Sequence, residues 1–118
     1  MNPQPKTKNI RNYAYREFLE KKPCCICHSA KGLPTCAAHY RTGTDGGTSQ
    51  KPSDTFCVPL CFGVGGCHEE QHAMGETEFW KYHGVNPFEI MVKSLTEYWK
   101  LHEDKMRPVR RDRKNSAL

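Results

Sequence analysis

The side chains best equipped for chemistry are thiols and imidazoles: seven cysteines and six histidines among 118 residues. Cys24 and Cys27 form a C-x2-C pair. A two-residue gap lets both thiolates reach one ion from a tight turn, at Zn–S distances near ~2.3 Å. The best candidates for a second pair are Cys61 and Cys67. Their gap, Phe62-Gly63-Val64-Gly65-Gly66, is longer than usual for zinc ligands, but its glycines let it fold tightly. Four cysteines make a closed, tetrahedral structural site, and Cys25, Cys36, Cys57 and His28 are then spares. A buried cysteine without a metal is a small hydrophobe.

His68 and His72 stand four apart, which on a helix puts both imidazoles on one face, able to chelate one cation. With Glu69 they spell H-E-x-x-H, the letters of a zinc protease with Glu69 as base. Such an enzyme needs a third ligand and a substrate cleft, for which a short cysteine-rich chain leaves little room. His39, in TCAAHYRTGTDGG, follows small apolar residues that suggest a strand and precedes a glycine-rich loop. A strand imidazole opposite a helix bearing two more is the layout of a metal-dependent nuclease. That chemistry needs a general base for water and a cation for the scissile phosphate.

The elements that must position these groups follow from periodicity. Residues 1–8, with Pro3 and Pro5, are expected to be unstructured. Asn9 to Lys22 is predicted helical, with Ile10, Tyr13, Ala14 and Phe18 on one face and Pro23 ending it. Residues 24–75 read as short strands and loops around metal, with a helix starting near His68. Glu76 to Tyr82 is a short helix whose Phe79, Trp80 and Tyr82 cover the core. Asn86-Pro87 starts a last helix, about 86–102, with Phe88, Met91, Leu95, Tyr98 and Trp99 lining one face. A single domain over 9–104 results, with residues 105–118 a basic, disordered tail.

Composition narrows the class. At 13.6 kDa and 36% apolar residues, with mean hydropathy −0.80, the chain suits one domain with a thin core that a metal would staple. No apolar run approaches the ~18–20 residues of a transmembrane helix. The opening MNPQPKTKNI has no apolar stretch of the secretory kind, so the expected compartment is the reducing cytoplasm, where clustered cysteines bind metal. The net charge of +5 is uneven. Residues 1–22 carry six Lys/Arg against two Glu, and 105–118 carry six against one Asp. Basic ends on a faintly acidic centre point to phosphate-backbone contact.

Taken together, Cys24-x2-Cys27, His39-Tyr40-Arg41 followed by Gly46-Gly47, Val58-Pro59-Leu60-Cys61 and Cys67-His68-x3-His72 form an ordered set. This set resembles the HNH (His-Me finger) endonucleases. It is most similar to small phage-encoded HNH proteins, including the Ref type of RecA-dependent nuclease. The resemblance covers residues 24–82 and implies an α+β fold: a zinc-stabilised ββα-metal core with flanking N- and C-terminal helices. It implies His39 as general base, His68 and His72 as ligands of the catalytic cation, and Cys24, Cys27, Cys61 and Cys67 as the structural zinc site. Ala38 stands where the family carries a metal ligand. Either the cation is held by His68, His72 and water, or His39 is a ligand and Tyr40 takes the base position. Phe56 stands at the family's asparagine, and Asp54 is the nearby substitute, as base orienter or oxygen ligand.

The expected activity is metal-dependent hydrolysis of DNA in recombination, repair or processing, in a host cytoplasm if phage-encoded. A recombinase partner follows from the resemblance alone. Arg41 and Lys51 are the expected phosphate contacts, with Arg11, Arg16, Arg110 and Arg111 holding the backbone. Two imidazoles favour Mn²⁺, Ni²⁺ or Zn²⁺, although availability can select Mg²⁺. The alternative is a non-catalytic zinc module that binds nucleic acid or protein.

Overall fold

Two five-residue strands carry the architecture. In the structure, a computed structural model that describes residues 9–47 and 50–106, β1 (Thr35–His39) pairs antiparallel with β2 (Cys57–Cys61). The register runs from Thr35 opposite Cys61 to His39 opposite Cys57. All five β2 residues are buried, so the strand reads as an unbroken apolar run rather than an alternating one. Residues facing one side, including Ala38, Val58 and Leu60, join the larger core with Phe79, Trp80 and Met91. Cys57 and Ala37 face the other side and pack with Tyr15, Leu19 and Tyr98.

Four helices surround the hairpin, giving the expected α+β class: α1 (Tyr13–Glu20), α2 (Cys67–Met74), α3 (Glu76–His83) and α4 (Pro87–Met106). A single turn of 3-10 helix, Asp54–Phe56, leads into β2. The Asn12 side chain caps α1 by accepting the Tyr15 N–H, so this helix starts later than its apolar spacing predicts. Gly84, at φ 67°, closes α3 in the left-handed conformation that glycine adopts without cost. Asn86 Oδ1 accepts the Phe88 N–H at 2.9 Å, and Pro87 takes the first helical position, as the sequence predicts.

The faces of three helices differ from expectation. On α1, Tyr15 and Leu19 are buried, whereas Tyr13 is 72% exposed, and Ile10, which lies ahead of the helix, is 67% exposed. On α4 the buried stripe is Met91, Ser94 and Tyr98, with Leu95 beside it, while Trp99 is 58% exposed. Met91, Ser94, Leu95 and Tyr98 follow the i, i+3, i+4, i+7 rule, and Trp99 falls past its edge. On α3, Phe79 and Trp80 are buried but Tyr82 faces solvent. Among the described residues no helix is long and apolar enough to cross a membrane. Residues 1–8 and most of the basic tail, with Arg110 and Arg111, lie outside the described residues.

Candidate functional site

The cysteine pairs meet where the hairpin's open end meets the start of α2. Cys24 and Cys27 come from a turn whose following residues, His28 and Ser29, have positive φ. Cys61 ends β2 and Cys67 begins α2. The connection between them is tight: a Cβ on Gly66 would lie 2.9 Å from the Cys61 carbonyl oxygen, so only glycine fits. All four sulfurs lie within 4.8 Å of one another, and Cys27 Sγ is 3.7 Å from Cys61 Sγ. A zinc tetrahedron with ~2.3 Å bonds has edges of about 3.8 Å.

The cluster is therefore close enough to hold one metal ion, as a structural zinc site requires. Main-chain N–H groups of Ile26 and Cys27 point at Cys24 Sγ, at 3.4 and 3.5 Å, and that of Cys67 at Cys61 Sγ, at 3.2 Å. Such donors favour sulfur in its charged, ligating form. Burial works against the Cys27 thiolate, but N–H groups of Lys31 and Ser29 and the neighbouring thiols outweigh it and bring Cys27 to about 7. Burial, then the neighbouring thiols, pushes Cys67 up, so several charges coexist there only around a cation. The spare thiols are neutral. Burial raises Cys25 and Cys57 to about 12 and Cys36 to about 11.

At the other end of the hairpin, His39 Nε2 donates to Asp54 Oδ1 at 2.8 Å. Asp54 is fully buried. Its Oδ2 accepts the Asn12 N–H at 2.7 Å, and Arg11 Nη1 reaches Oδ1 at 3.3 Å. Burial opposes the Asp54 charge, but the Asn12 N–H, His39 and the nearby Arg16 hold its carboxyl below the usual range. Asp54 is thus an anion that orients the His39 ring. Burial, with help from Arg16 and Arg11, lowers His39 despite that partner, which keeps the imidazole neutral at pH 7. Cys57 Sγ lies within the same 4.8 Å span as His39 and Asp54. A cation there would confront the Arg11 guanidinium and a neutral thiol, whereas His39 and Asp54 form a hydrogen-bonded pair beside Cys57.

His39 also lines a cavity of about 190 Å³ with Arg41, Gln71, His72, Gly75 and Glu76. The His68 and His72 rings are 4.7 Å apart, centroid to centroid. Burial, then its neighbour His72, lowers His68, whose Nδ1 is 3.7 Å from Cys36 Sγ. The structure therefore brings His39 and His72 to one cavity, with His68 beside His72. Among the described residues no third His, Cys, Asp or Glu joins the helix pair in a cluster. Tyr40, the alternative base, packs against Trp80 and Phe88 and is not part of the cavity wall.

Several basic residues are already occupied. Arg11 donates to Pro52 O and Lys51 O as well as Asp54, joining the start of the chain to the segment before β2. Arg41 lies past the end of β1, and its Nη2 donates to the Gly47 and Gln50 carbonyls. The Arg16 guanidinium stacks 5.7 Å above Tyr13, and Lys51 is exposed. Of the residues expected to grip DNA, Arg11 in particular is an internal brace.

Two side chains of the cavity wall, those of Glu76 and Gln71, escaped the sequence reading. Glu76 accepts the N–H of Arg41 and the N–H and hydroxyl of Thr42, tying the loop after β1 to α3. Gln71 is buried and bonded to Trp80. Its spacing of four from Cys67 was the available signal, because a buried cysteine on a helix places the next turn's residue inward as well.

Fold and site define a small α+β protein with a closed four-cysteine cluster at one end of a hairpin and a histidine–aspartate pair at the other. The chain belongs to the family described as a protein of unknown function (DUF968), whose model matches residues 2–98. No curated protein and no solved structure matches it.

Proposed function

We propose that the protein is a metal-dependent endonuclease that hydrolyses DNA phosphodiester bonds, with an HNH-like ββα-metal core formed by β1, β2 and α2. The observation that carries this reading is His39: one ring nitrogen is bonded to a buried carboxylate, and the residue opens on a cavity shared with His72. With Nε2–H donating to Asp54, Nδ1 keeps its lone pair and is the atom that takes a proton from water. Asp54 fixes the tautomer and stabilises the imidazolium that forms. His68 and His72, adjacent on α2, are the residues that would hold a divalent cation. When bound, it supplies positive charge against the scissile phosphate. The cysteine cluster supports the reading structurally, since Cys67 immediately precedes His68 and fixes the start of α2.

A non-catalytic zinc module is the second reading. Ala38 favours it, because a buried methyl stands where the HNH nucleases that the chain resembles carry a ligand. Nicking of supercoiled plasmid with Mg²⁺, Mn²⁺, Ni²⁺ or Zn²⁺ separates the two. Cleavage that His39→Ala abolishes supports the nuclease. Cleavage equal in both proteins removes His39 from the mechanism, and no cleavage with any cation leaves the binding module.

A further inference from the structure

We propose that Gln71 is a substrate-binding residue whose side-chain amide donates N–H to a phosphodiester oxygen of a nucleic-acid strand seated in the cavity. The inference rests on the nuclease reading and adds to it a group that neither acts as base nor binds metal.

Gln71 is 4% exposed yet lines the cavity beside His39 and His72. Its orientation follows from chemistry. The Trp80 indole Nε1–H is a donor only, so the atom facing it must be the amide oxygen, and the bond is 2.6 Å long. Trp80 is itself buried against Phe79 and Tyr40, which holds the indole in place. The amide NH₂ is therefore all that Gln71 has left to offer the cavity, and among the described residues no acceptor takes it. The NH₂ is not among the fully buried unpartnered groups, so it is open to the cavity and to a ligand that supplies an acceptor.

The rest of the wall selects an acceptor-rich ligand. Glu76, its one carboxylate, has both oxygens engaged by Arg41 and Thr42. Arg41 adds positive charge, and the cavity of about 190 Å³ has room for a phosphodiester with its flanking sugar carbons.

The test uses the indole as reporter. The full-length zinc-loaded protein, labelled with ¹⁵N, is titrated with the dinucleotide dTpdT, with inorganic phosphate, and with thymidine as a control lacking phosphorus. The Trp80 indole cross-peak is expected to move with dTpdT and not with thymidine. Trp99, exposed on α4, should stay still. A response to inorganic phosphate at lower concentration than to dTpdT would assign the site to free phosphate and overturn the proposal. Gln71→Glu keeps an oxygen for Trp80 but replaces the NH₂ with a second oxygen, and should weaken dTpdT binding by about tenfold or more. Gln71→Met, neutral and donor-free, carries the same test should the glutamate variant misfold.

Wild-type affinity in both variants overturns the proposal. Plasmid cleavage with a stationary Trp80 peak overturns it too and leaves the nuclease standing. A Gln71-dependent shift without cleavage under any cation overturns the nuclease and keeps the phosphodiester site. Neither shift nor cleavage overturns both.

Discussion

Cys24, Cys27, Cys61 and Cys67 bring four like donors within 4.8 Å of one another at the hairpin's open end, whereas of the imidazoles only His39 and His72 line a common open cavity, with His68 beside His72. The thiol cluster is complete in itself, with sulfurs at ligating separations and main-chain N–H groups aimed at them. The histidine group is incomplete by the same measure. Among the described residues no third ligand side chain joins His68 and His72 in a cluster, and His39 is bonded to the Asp54 carboxylate. A closed shell of ligands suits stability, and a partial shell with an open face suits chemistry on a substrate. Both kinds of site coexist in so short a chain because one residue step, Cys67 to His68, joins them.

The sharpest way to break the contrast is to remove the metal expected at the thiols. Zinc ejection by a chelator, or Cys61→Ser, should abolish the cooperative unfolding transition, read by circular dichroism alongside metal content. Structural zinc contributes roughly 10–16 kcal/mol in small domains, comparable to the ~5–15 kcal/mol that holds a domain folded. Cys25→Ser should keep one zinc per chain and cost within about 1 kcal/mol, since Cys25 lies outside the four-sulfur cluster. Equal damage by both substitutions would erase the distinction between ligand and spare.

At the histidine end the expected pattern reverses. His39→Ala should lower plasmid nicking by roughly 10²–10⁴-fold, the range for a lost general base, with zinc content unchanged. Asp54→Asn should touch both properties. Asp54 is fully buried and accepts from Asn12, His39 and Arg11, so an amide there sets donor against donor. A loss of about 1.5–3 kcal/mol is expected in urea unfolding, together with weaker nicking as His39 loses its fixed tautomer.

How far the residues announced this arrangement depends on how local the signal was. The cysteine set was legible because C-x2-C is a property of one turn, and the glycines between Cys61 and Cys67 explain their long gap. The start of α4 was legible in Asn86-Pro87 for the same reason. The buried faces of α1 and α4 were harder, because large aromatic residues such as Tyr13 and Trp99 resemble core yet stand on solvent-facing positions. Asp54 was visible only as one of two options, since its role depends on Asn12 and Arg11, more than forty positions away. Gln71 was missed because its spacing of four from Cys67 marks an inward position but not the indole it meets nine residues later.

The smallest expected effect is in the acid dependence of stability, and it distinguishes the two ends again. The folded His39 titrates below the ordinary 6.5, because burial and the arginines penalise its cation. His68 is shifted the same way by burial and by His72. The unfolded chain therefore binds more protons than the folded one just below pH 6.5, and stability falls as pH drops through that region. Asp54 acts further down: its folded carboxyl lies below the ordinary 3.8, so its contribution is present above 3.8 and is lost as pH falls through the lowered value. Unfolding midpoints measured from pH 7 to pH 3, with zinc held in place, should therefore decline in two stages. His39→Ala should soften the first stage and Asp54→Asn the second. A profile that is flat in both regions, or that neither substitution alters, would mean that the histidine–aspartate pair carries no such burial penalty, and the neutral imidazole at pH 7 would need another cause.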